Sequence, residues 1–128
     1  MKTFDKMACQ GDMMLIKLDK LPVPLEMLEE VPKEVADACV LTHSETGSHH
    51  LVLERPGMKH YRFVEKHAKG MDVLRSFLIV PDDDQETDVV HMRDTHTHET
   101  IRLPGKGIYE IRRQREYDAT EGWRYAAD

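Results

Sequence analysis

Turn signals cut this chain into short apolar runs, and no apolar-periodic stretch is long enough to build a layer of helices. Gly11-Asp12, Pro22-Val23-Pro24, Gly47-Ser48, Pro56-Gly57, Pro81-Asp82 and Pro104-Gly105-Lys106-Gly107 punctuate it. Proline fixes its own φ and turns its predecessor away from helix, while glycine supplies the backbone freedom a tight turn needs. Between these signals lie runs of strand length at residues 13–18, 38–43, 49–54, 61–65, 73–80, 88–92, 96–103 and 108–117. About eight short strands joined by turns predict an all-β domain, a small barrel or sandwich. The clearest hairpin joins 38–43 to 49–54 through a turn over 44–48, where Gly47 sits. A minor helical segment is expected near residues 25–37, since Pro24 suits a first helical turn before Pro32 interrupts. The tail at Gly122-Trp123-Arg124-Tyr125 is expected to pack back over an edge.

Composition narrows the class. A chain of 128 residues suits one domain spanning 1–128. No apolar run approaches the ~20 residues of a spanning helix, so no membrane partner is expected. The formal charge of −6 lacks the basic excess of a general nucleic-acid binder. A small molecule or self-association is the expected partner instead. Cys9 and Cys39 form no CxxC pair and read as reduced core residues. The first residues carry no apolar signal core, so a cytoplasmic location is expected.

Histidine is the abundant soft ligand, with 8 copies against 2 cysteines. His96 and His98 form an HxH pair, and on a strand both would point to one face. His49 and His50 are adjacent and point to opposite faces, so one of them at most joins a shared site. His96 and His98 with His50 or His49 make a candidate three-histidine set for a divalent metal, Zn, Fe, Ni or Mn. Glu99 faces away on a regular strand, and Glu110 is a candidate carboxylate on the next strand. His43 stands across the hairpin from this cluster. His60, His67 and His91 are each alone and read as structural.

Arg112, Arg113 and Arg115 lie on the expected strand 108–117, with Arg113 and Arg115 sharing a face with Tyr109 and Tyr117. Arg113 and Arg115 are candidate anion-binding residues. A solvated edge strand with cross-strand charge pairs is the plainer account of the same pattern. The acidic run Asp82-Asp83-Asp84-Gln85-Glu86 lacks the spacing of a calcium loop. No Walker loop, GxGxxG, GxSxG or HExxH is present, so nucleotide and serine-hydrolase chemistry are disfavoured. No catalytic residue is assigned.

The HxH pair, the Leu103-Pro104-Gly105-Lys106-Gly107 turn and the Tyr109 strand resemble the metal-binding barrels of the cupin class. That resemblance implies a cupin-like fold and a divalent ion on the histidines. Thr46-Gly47-Ser48-His49-His50, the segment from His98 to Tyr109 and the run Arg113-Gln114-Arg115-Glu116-Tyr117 are similar to a group of small uncharacterised bacterial and phage-type proteins. These pair a TGxxH hairpin with an HxxIxLPxGxYxxRRQREY segment. This likeness supports a fold and a site, not a reaction. Two functions are expected as alternatives: a small β-barrel protein that binds a divalent metal through its histidines, or a non-catalytic oligomeric or assembly module of bacterial or phage origin.

Overall fold

The computed structural model describes residues 2–33, 38–43, 49–81, 87–92, 98–113, 115–118 and 122–125. Twelve strands are described: β1 (Met7–Gln10), β2 (Met13–Leu18), β3 (Leu28–Glu30), β4 (Ala38–His43), β5 (His49–Leu53), β6 (Lys59–Phe63), β7 (Arg75–Val80), β8 (Asp88–Met92), β9 (His98–Arg102), β10 (Gly107–Arg113), β11 (Arg115–Asp118) and β12 (Gly122–Tyr125). Two antiparallel sheets carry the fold. One has six strands in the order β1-β2-β10-β7-β6-β3, and the other has four in the order β4-β5-β8-β9. Neither closes into a barrel, so the sandwich alternative is the one realised. Among the described residues, no helix is long and apolar enough to cross a membrane.

The main core lies between the two sheets. Met13, Leu15, Leu78, Tyr109 and Ile111 come from the six-stranded sheet, and Leu41, Val52, Val89 and Ile101 from the other. Pleat alternation aims them inward, and each such aliphatic side chain gains about 1.5–3 kcal/mol on burial. A second cluster of Leu28, Phe63 and Phe77 is joined by Leu21, Val23 and Met27. Phe77 and Leu78 are neighbours on β7, so they belong to different clusters by the same alternation.

Several expectations change. Cys9 is exposed rather than in the core, and Cys39 is half-buried against it. The helix expected near 25–37 is a single 3-10 turn at Leu25–Met27, followed by β3. A segment this short cannot offset the cost of helix nucleation, whereas pairing with β6 satisfies its backbone at once. Residues 34–37 of that segment lie outside the described ones. The strand expected over 108–117 is two strands: β10 lies inside the large sheet, and β11 pairs with β12. Arg113 and Arg115 therefore do not share one strand face. The Gly122–Tyr125 tail becomes β12, the partner of β11.

Candidate functional site

Along the inward faces of both sheets the residues change from apolar to polar toward one end of the sandwich. On β5 the inward row runs from Val52 to His50, and on β8 from Val89 to His91; all four are fully buried. On β10 it runs from Tyr109 and Ile111 to Arg113. On β7 it runs from Leu78 to Ser76, which pairs with Arg62 of β6.

The β1–β2 turn reaches into this polar end. Gln10 and Asp12 flank Gly11, which has φ +58°, and both flanking side chains are buried. Gln10 Nε2 donates to the Val89 carbonyl at 2.9 Å, which fixes the orientation of the amide. Its Oε1 therefore faces His50, and His50 Nδ1 donates to it at 2.8 Å. His50 Nε2 lies 3.1 Å from Asp12 Oδ1. Asp12 Oδ2 accepts no hydrogen bond among the described residues, and Arg113 Nε stands 4.0 Å from it. The His91 ring stacks on His50 with centroids 4.0 Å apart and planes 13° from parallel.

The ladder of the four-stranded sheet aligns these positions. His50 of β5 pairs with Thr42 of β4 on one side and His91 of β8 on the other, and His91 pairs with His98 of β9. The structure thus brings the strands of His50 and His98 to either side of β8, with His91 between them. His49 lies on the opposite face from His50 and is half-buried. It pairs with His43. His96 lies outside the described residues, and His98 and Arg115 are described by their strand positions alone. Glu110 is committed elsewhere: it accepts from Arg75 at 2.9 Å and from Arg112. Among the described residues, no three His, Cys, Asp or Glu side chains form a complete metal-ligating set.

Gln10, Asp12 and His91 were not singled out from the sequence. Period-two alternation with Val89 carried the signal for His91. For Asp12 the signal was Gly11, because a left-handed glycine in a two-residue turn marks a place where backbone approaches other groups closely.

Beside this centre an open cleft of about 210 Å³ separates β4 from β6, β7 and β10. Thr42 and Arg113 line it and also border the histidine centre. His60 Nε2 is 3.0 Å from Ser76 Oγ in its wall. Burial, with Arg62 nearby adding to it, pushes the His60 imidazole down to about 4, so this ring is neutral at pH 7. Arg75 donates to Asp72 and Glu110, and its guanidinium lies over Phe63 and Phe77 at 5.5 and 5.6 Å. Burial pulls the Arg75 pKa down, but Glu110 and Asp72 outweigh it and the net shift is upward.

A family model described as "domain of unknown function (DUF8820)" matches residues 9–114. The match takes in the β1–β2 turn, most of both sheets and the cleft, and stops before β11. No curated protein matches the chain, and no solved structure does.

Proposed function

The chain belongs to the DUF8820 family, whose function is unknown, and we propose that it binds a divalent metal ion at the polar end of the sandwich, with Asp12 and His50 among the ligands. The buried Asp12 carboxylate carries this proposal. Its side chain is 1% exposed, and Oδ2 accepts no hydrogen bond among the described residues. A carboxylate enclosed in this way is costly unless a cation or several donors face it. Arg113 supplies charge from 4.0 Å, beyond hydrogen-bond reach of Oδ2.

The spacing suits shared ligation. Two ligand atoms about 2.0–2.1 Å from one ion and 3.1 Å apart subtend roughly 100°, between octahedral and tetrahedral angles. Gln10 accepts from His50 Nδ1 and thereby leaves Nε2 as the coordinating nitrogen, a common outer-shell arrangement for a ligating imidazole. His91 does not share an ion with His50 in this arrangement, because nearly parallel rings direct their in-plane lone pairs side by side. Further donors are expected from the 96–98 segment, from His96 or His98. One imidazole and one carboxylate are acceptable to Zn, Fe, Ni and Mn alike. A bound ion would supply Lewis acidity or an activated water.

Metal analysis of protein purified without a polyhistidine tag tests this. About one ion per chain is expected, and Asp12→Asn or His50→Gln should lower its affinity at least about tenfold. Substoichiometric metal after exposure to each of Zn, Fe, Ni and Mn would overturn the proposal. Full metal retention by both variants would do so as well.

A further inference from the structure

The cleft beside the histidine centre has a lining of two kinds. Arg62, Arg75, Arg113 and Ser76 present polar groups from the six-stranded sheet and its approach. Val40, Leu41, Val73 and Leu74 present apolar surface. We infer that this cleft binds a small organic acid, a carboxylate on a compact branched or aromatic body. The site does not depend on the metal centre.

Charge favours an anion. Arg62, Arg75 and Arg113 line the cleft, and among the described residues no carboxylate does. The acids that pair with them, Glu29 with Arg62, Asp72 and Glu110 with Arg75, and Asp12 with Arg113, are not among the described lining residues. Arg62 donates to Glu29 through Nε, so its terminal amino groups remain for a ligand. Guanidinium groups also match the planar geometry of a carboxylate.

The apolar part of the lining requires an apolar body. Val73 lines the cleft and is 56% exposed. An aliphatic or aromatic group in the cleft would remove Val73 from water. Inorganic phosphate would meet the arginines but would have to leave water against valine and leucine side chains. At about 210 Å³ the cleft accommodates a body of the size of benzoate or isovalerate. Neutral His60, bonded to Ser76, adds hydrogen-bonding capacity without adding charge.

Amide NMR titration of the full chain, with a chelator present, tests this against benzoate, isovalerate, benzyl alcohol and inorganic phosphate. Benzoate and isovalerate should give saturable shifts on β4, β6 and β7. Benzyl alcohol and phosphate should bind at least about tenfold more weakly, because each lacks one of the two matched features. Arg62→Gln and Val73→Asp change exposed positions, so they should fold, and each should weaken benzoate binding. The inference fails if no probe saturates, if phosphate or benzyl alcohol matches benzoate, or if neither variant changes benzoate affinity. Each of these outcomes leaves the metal centre untouched, since the chelator removes its contribution.

Discussion

Gly11 shows how one residue shapes the polar end. Its φ of +58° lies in the left-handed region, and a Cβ built there would stand 2.9 Å from His91 Cε1 and 3.3 Å from His50 Cε1. Both contacts involve buried rings that are stacked on each other, so neither can swing away cheaply. Gly11→Ala should therefore lower the unfolding free energy by about 2 kcal/mol or more, combining the left-handed penalty with the clash. Urea denaturation measures it, and a loss under about 0.5 kcal/mol would show that the turn relaxes freely. The glycine is also what lets Gln10 and Asp12 reach His50 from either side of one turn.

At the scale of elements, the β11–β12 hairpin stands apart. Its strands pair with each other and with no other strand among the described residues. A two-stranded hairpin is marginal by itself in water. The family match ends at residue 114, before this hairpin begins. Truncation after Arg113 should leave both sheets folded, with stability reduced by less than about 1 kcal/mol. Thermal unfolding followed by circular dichroism would read this, and a loss of cooperative unfolding would mean that the hairpin belongs to the core. By contrast β10 sits between β2 and β7, and its interior residues Tyr109 and Ile111 are buried. The two halves of one continuous apolar and basic stretch thus have different structural roles.

For the whole molecule, burial of His60 couples folding to pH. Its folded pKa of about 4 lies below the ordinary 6.5 because the charged ring is poorly solvated. Between these values the unfolded chain binds a proton that the native state excludes. The stabilising difference is present above about pH 6.5 and is lost as pH falls toward 4, with no further loss from this group below that. The full difference corresponds to about 3 kcal/mol. His60→Gln, which can keep a hydrogen bond to Ser76 without titrating, should flatten that part of the stability curve. Parallel pH-stability curves for the two proteins would refute the assignment.

The amino-acid sequence by itself determined the class of fold and most strand positions. Proline and glycine act through local φ preferences, and period-two apolar runs need only a face to bury, so both signals are readable without tertiary contacts. The same local chemistry singled out His50 and Arg113 as candidates. Pairing was a different matter. The break after Arg113, the strand at Leu28–Glu30 in place of a helix, and the alignment of His50, His91 and His98 all depend on which distant strand supplies hydrogen-bond partners. Gln10 and Asp12 came to face His50 only when the β1–β2 turn met β5, 40 and 38 residues away in sequence. Local preference sets where a strand can form. Burial and register, which are long-range, decide what its polar residues face.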